Sequence, residues 1–251
     1  MISLKSKREI EIMREGGKIL AAVLSELKQY VKPGLRTRDI DKKAVALIQA
    51  KGGESAFKGY RGYPANICTS LNEEVVHGIP SDRRLKDGDI LSVDAGVKYK
   101  GYFTDAARTW PIGSVSRDIE KLVRVTRASL YEVALQKLKP GIKLGDVSHA
   151  IQKFIESHGF GVVRDFVGHG IGRALHEDPQ VPNFGKPGGG IKVEAGLVIA
   201  IEPMVTEGDY HVVILDDAWT VVTRDGKLSS HHEDTIAITE SGPELLTFSE
   251  E

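Results

Sequence analysis

Four acidic residues stand where strand-forming, apolar sequence should exclude them. Asp94 ends "ILSVD", Glu202 ends "LVIAIE", Asp105 lies in "YFTDAART" and Glu233 in "SSHHEDTIAIT". An ionised carboxylate buried without a partner is strongly destabilising unless it is paired or bound to a metal. For one buried acid, an ion pair with Lys or Arg is the commoner solution. Here the acids multiply, and Arg108 is the one obvious basic neighbour in sequence. Convergent carboxylates with too few cations repel one another, so divalent metal ions become the better explanation. Between Asp94 and Asp105 the segment "KYKG" (98–101) reads as a turn, and adjacent hairpin strands would bring both acids to one place. Acids at this spacing are common; what sets these apart is their combination with Glu202 and Glu233.

The stretch "DFVGHGIGRALHEDPQVPNFG" (165–185) adds His169 and His176. Its glycines at i, i+2 and i+4 match neither the G-x-G-x-x-G of a dinucleotide loop nor a P-loop, which argues against phosphate binding. They make a helix improbable and let the backbone pass close to a site, with the two histidines on either side of a bend. A lone histidine is usually structural; two in this setting, beside four candidate metal acids, favour chemistry. A mixed imidazole and carboxylate set suits Mn, Fe, Co or Zn better than Ca. His77, in "NEEVVHGIP", reads as a strand end entering a turn. His158, His211, His231 and His232 read as surface or structural residues, with His232, the neighbour of Glu233, the one placed to touch the site.

Composition narrows the class. Lys and Arg (34) balance Asp and Glu (35), so no basic field argues for nucleic acid. The single cysteine, Cys68, excludes an intramolecular disulfide framework and fits a reducing, cytoplasmic location. The charged opening "MISLKSKREIEIMREGG" lacks a signal-like apolar region, and no run of about eighteen apolar residues suggests a membrane span.

The elements that must position these residues repeat. Apolar spacing predicts a helix over 7–30, stopped by "KPG" at 32–34, and a second over about 39–51, stopped by Gly52-Gly53. The same order returns with a helix around 118–138, "KPG" at 139–141 and a helix over about 145–157. "KPGLRTRDI" and "KPGIKLGDV" lie 107 residues apart, and "DGDILSVDAG" aligns with "EAGLVIAIEP" at offset 108, pairing Asp94 with Glu202. A preserved offset over this length signals duplication, with halves of about 1–115 and 116–251 in one catalytic domain. Strand signals follow each helix pair, and Asp225-Gly226 marks an expected hairpin. The expected class is α+β, a mostly antiparallel sheet covered by helices from both halves.

Taken together, "NEEVVHGIP", "LSVDAG", "GYFTDAAR", "GHGIGRALHEDP", "IEPM" and "HEDTIAIT" resemble methionine aminopeptidases of the shorter, bacterial-type class, type I, over nearly the whole chain. The resemblance implies the pita-bread fold, a pseudo-twofold α+β structure. It implies that Asp94, Asp105, His169, Glu202 and Glu233 ligate two divalent ions, drawn from Co, Mn, Fe, Zn or Ni, with Asp105 and Glu233 bridging. His77 and His176 would contact substrate, and a methionine pocket maps onto Tyr60, Tyr63, Cys68 and Trp219. Two residues depart from the family pattern: Leu175 stands where many relatives have Phe, and Asp234 where they have His. The Glu-Asp pair that results is shared with relatives that cleave X-Pro bonds.

The activity so implied is removal of N-terminal methionine from nascent chains when the next residue is small. The nucleophile would be a metal-bridging water, Glu202 its proton acceptor, His176 an oxyanion donor and His77 a partner of the peptide near the leaving nitrogen. Expected partners are the N-termini of nascent polypeptides, with ribosome docking open, a monomeric state, and neither membrane nor nucleic acid. The competing readings are an X-Pro peptidase of the same fold and a non-enzymatic pita-bread protein, a type that generally loses the metal ligands.

Overall fold

A computed structural model describes residues 2–248. The first helix, Lys7–Tyr30, begins in a capping box in which Ser6 and Glu9 satisfy each other's backbone N–H groups. It buries Leu20, Val23, Leu24 and Leu27 with Ile40, Ala44 and Ile48 of the second helix, Thr37–Ala50. Both lie on Ile67, Leu91, Val93, Ala95 and Val97 of the sheet. The other half repeats this packing. Leu122, Val125, Leu144, Val147, Ile151 and Ile155 cover Ile199, Ile201, Ile236 and Ile238.

The duplicated pattern is visible in the elements. Thr37–Ala50 and Leu144–Ser157 begin and end 107 residues apart. The glycines that end or follow these helices share a left-handed backbone, φ 81° at Gly52 and 88° at Gly159, and Gly88 and Gly196 match likewise at 91° and 94°. Two sequence expectations change. The helix expected over 118–138 is α-helical at Arg117–Ala128 and widens into π turns at Ser129–Ala134, where Thr126 and Ser129 hydroxyls bond backwards to the carbonyls of Leu122 and Thr126. Asp225-Gly226 does form a turn, but no hairpin. The strand before it, Val221–Thr223, pairs with Val212–Ile214 and Glu74–Val76, whereas the strand after it, Ser229–His231, pairs with Met204–Thr206.

The main sheet has nine strands among the described residues, all paired antiparallel. At its centre, Ile90–Tyr99 and Tyr102–Pro111 form a ten-residue-per-strand hairpin. Leu91, Val93, Ala95 and Val97 point to the helices, so alternation turns Ser92, Asp94 and Gly96 to the other face. Glu233–Thr239 lies between the hairpin and Val198–Ile201, which in turn pairs with Gly168–Gly170. No described helix is long and apolar enough to cross a membrane.

Candidate metal centre

Register alone assembles the centre. Cys68 pairs with Asp94, Asp94 with Ala107, and Ala107 with Glu233, so these four residues form a row across four strands. Ala107 is small, which leaves room between the acids. Asp105 lies diagonally from Asp94, opposite Gly96. Glu202 follows the Val198–Ile201 strand and is held at its carbonyl by Asn183 Nδ2, 2.9 Å away. His169 enters from Gly168–Gly170, opposite Ala200. The glycines around it serve close strand packing: a Cβ at Gly168 would strike the carbonyl oxygen of Ala200, and one at Gly170 that of Asp178.

The donor atoms of Asp105, His169 and Glu233 lie within 4.8 Å of one another, as do those of Glu202, His231 and Glu233. Glu233 belongs to both groups. His169 Nδ1 contacts the Gly170 carbonyl at 2.9 Å, a bond that needs the proton on Nδ1 and leaves the Nε2 lone pair facing the acids. Oδ1 of Asp94, Oδ1 of Asp105 and Oε1 of Glu233 are buried with no hydrogen-bond partner among the described residues. Orphaned carboxylate oxygens beside a free imidazole nitrogen are the donor set a divalent transition ion requires.

Electrostatics point the same way. Burial pushes Asp94 up to about 7. Burial, followed by the charges of neighbouring carboxylates, holds Asp105, Glu202 and Glu233 well above the usual carboxylate range. Burial also depresses His77 and His169, and it brings His176 and His231 down to about 3. His169 is therefore neutral at 3.8 Å from Glu202, a ligand-like approach and not an ion pair.

Arg108, the cation expected beside the acids, faces elsewhere. Its guanidinium meets Asp234 at 2.9 Å and donates to the Glu233 carbonyl at 2.6 Å. Asp234 also accepts from Tyr131 Oη and Thr247 Oγ1, each at 2.6 Å. Neighbours in a strand point to opposite faces, so Asp234 is turned away from Glu233 into a buried network. Asp234 accordingly does not line the cavity that the acids face.

Every residue that the resemblance assigned to metal or substrate lines one cavity of about 140 Å³: Tyr60, Tyr63, Cys68, His77, Asp94, Asp105, His169, His176, Glu202, Trp219 and Glu233. Phe57, Arg61 and Leu175 join them. His176 stacks on Tyr60 with ring centroids 5.2 Å apart and lies 4.1 Å from the His169 ring. Trp219 packs edge-on against Tyr63 at 5.0 Å and His77 at 6.3 Å. His77 adopts φ 61°, an unfavourable conformation of the kind held at functional sites. One assignment is corrected: His231, not His232, faces the acids, with Nε2 3.7 Å from Glu202. His232 falls at the break between the strands Ser229–His231 and Glu233–Thr239, so its being next to Glu233 in sequence did not decide which histidine faces the acids.

The comparisons with known proteins agree with this geometry. The profile of metallopeptidase family M24 matches residues 11–240. A methionine aminopeptidase of Clostridium perfringens is 52% identical over 98% of this chain and 99% of its own. The crystal structure of the methionine aminopeptidase of Thermotoga maritima superposes with a TM-score of 0.97, at 49% identity over 99% of this chain and 100% of that one. A prolidase from Pyrococcus furiosus, at 24% identity and TM-score 0.79, covers 99% of this chain with 66% of its own length and shows the shared fold alone. The fold is the pita-bread fold, and the chain belongs to metallopeptidase family M24, among its methionine aminopeptidases.

Proposed function

We propose that this chain removes the N-terminal methionine of nascent polypeptides, using two divalent ions held by Asp94, Asp105, His169, Glu202 and Glu233. The observation that carries this reading is the convergence of four carboxylates, two buried and two partly buried, and a free imidazole nitrogen on an aromatic-lined cavity. Divalent ions in such a set supply Lewis acidity and acidify a water. Glu202, at the edge of the acid cluster, accepts the water's proton and returns it to the leaving amine as the C–N bond breaks. His176 is neutral and donates its one N–H to the oxyanion, and His77 holds the peptide near the leaving nitrogen.

The wall of Tyr60, Tyr63, Cys68 and Trp219 suits an unbranched thioether. A void of about 150 Å³ accommodates benzene, and the methionine side chain has fewer heavy atoms. The close wall of ligands beyond it limits the next residue to a small one. The chain works as a single cytoplasmic catalytic unit of two halves, 1–115 and 116–251, and as a monomer.

The test compares kcat/KM for Met-Ala-Ser, Met-Lys-Ser and Ala-Pro, with and without exhaustive chelation. Met-Ala-Ser should be cleaved, Met-Lys-Ser should be nearly inert, and Ala-Pro should be poor. Chelation should abolish turnover, and Mn, Co or Fe should restore it. Faster cleavage of Ala-Pro, or full turnover in metal-free protein, would overturn the reading.

A further inference from the structure

His231 is a buried imidazole that the proposed ligand set does not use. The residue is 1% exposed, and neither ring nitrogen has a hydrogen-bond partner among the described residues. A core histidine retained for packing satisfies at least one of its nitrogens; two orphans in one ring are costly. Its placement is fixed by the backbone. Thr109 Oγ1 accepts from His231 N at 2.9 Å and donates to His231 O at 2.8 Å, and the Ser229–His231 strand pairs with Met204–Thr206, Met204 standing opposite His231. The ring is thereby aimed at Glu202 and Glu233.

The distances distinguish what it does there. Nε2 lies 3.7 Å from Glu202 Oε2 and 3.9 Å from Glu233 Oε2. Both exceed hydrogen-bond length, so His231 does not act by bonding to either carboxylate. His169 Nε2 stands 3.8 Å from Glu202 Oε1 and 4.0 Å from Glu233 Oε1. The two imidazoles flank the same pair of glutamates, one facing their Oε1 atoms and one their Oε2 atoms, at matching separations. With metal–donor bonds of about 2.0–2.2 Å, two donors on one ion are separated by roughly 3 to 4.4 Å. Both histidines fall inside that range.

We propose that His231 is a further metal ligand of this chain, binding through Nε2 an ion shared with Glu202 and Glu233, so that each of two metal positions carries its own imidazole. This rests on reading the acid cluster as a metal centre, and it is independent of which peptide the enzyme cleaves. The donor set on this side is then one nitrogen with carboxylate oxygens, which favours a transition ion over Mg or Ca.

The test loads apo-protein with two equivalents of Zn(II) and counts histidine ligands by X-ray absorption spectroscopy. The expected result is two imidazoles per protein, falling to one in His231→Gln and to one in His169→Ala. Calorimetric titration of His231→Gln with Zn(II) should show one ion bound at least about tenfold more weakly. Circular dichroism of the apo variant checks its fold; should it not fold, the wild-type count decides alone, because a single imidazole overturns the proposal. An unchanged count in folded His231→Gln also overturns it. If Zn(II) does not bind at all, the metal-centre reading fails as well, whereas tight binding with one imidazole refutes only the role of His231.

Discussion

At the scale of single residues, the proposed assignment separates groups that hold ions from groups that meet substrate. His176 lies beside His169 yet stacks on Tyr60 and belongs to neither donor group, which supports assigning it to substrate and not to metal. His176→Ala should therefore keep its full metal content by elemental analysis while kcat falls about 10²- to 10³-fold, the usual cost of one oxyanion donor. A variant depleted of metal would show that the two histidines have been assigned in the wrong order. What the sequence made legible at this scale was the anomaly of acids in apolar strands, because an unpaired carboxylate there needs a physical reason. It did not reveal that Arg108 neutralises Asp234 and leaves the four-acid face to other cations. Nor did it assign the histidines at 231 and 232 to their faces, since adjacent residues of one type look alike and the break between the strands Ser229–His231 and Glu233–Thr239 falls at His232.

At the scale of elements, the helices were readable from their periodicity and their Pro-Gly stops, and Lys7–Tyr30 has the predicted limits. Strand existence was readable too, but pairing was not. Asp225-Gly226 encodes a turn through local backbone chemistry, while the partner of each flanking strand is set by packing elsewhere. The Gly168–Gly170 strand shows what sequence could state only in part. Its glycines were expected to allow close approach, and the approach is to two neighbouring strands at once. Gly170→Ala should force the strand away from the Asp178 carbonyl, a backbone atom with little freedom to yield. Overpacking of this kind costs about 1–3 kcal/mol, and here it also displaces His169. We expect a lower Tm together with weaker metal binding in calorimetry. Gly185→Ala, whose Cβ meets Ser148 Cβ at 3.4 Å, should leave both nearly unchanged. Equal effects of the two substitutions would remove the packing explanation for the glycines.

For the molecule as a whole, the centre links folding to protons and metal. Without metal, Asp94 titrates at about 7 in the folded protein against an ordinary value of 3.8, and Asp105, Glu202 and Glu233 are also raised, burial being the leading cause. A raised carboxylate means that the folded state holds protons the unfolded chain has released, so this contribution to stability is lost as pH rises from about 4 through 7. His176 and His231 act with the opposite sign. Their folded values near 3, against 6.5 unfolded, make stability fall as pH drops from about 6.5 toward 3. On the proposed assignment, metal ions replace the protons on the carboxylates and remove the first penalty while leaving the second in place for His176, which is assigned to substrate and not to metal. Binding should therefore release protons, and affinity should rise with pH. Comparing thermal unfolding of apo and Mn-loaded protein, we expect the difference in Tm to be larger at pH 8 than at pH 5.5. Calorimetric titrations in buffers of different ionisation enthalpy should detect proton release over the same range. A Tm difference that stays constant or shrinks with rising pH would mean that the four acids are already ionised in the apo-protein, compensated by a cation other than the metal.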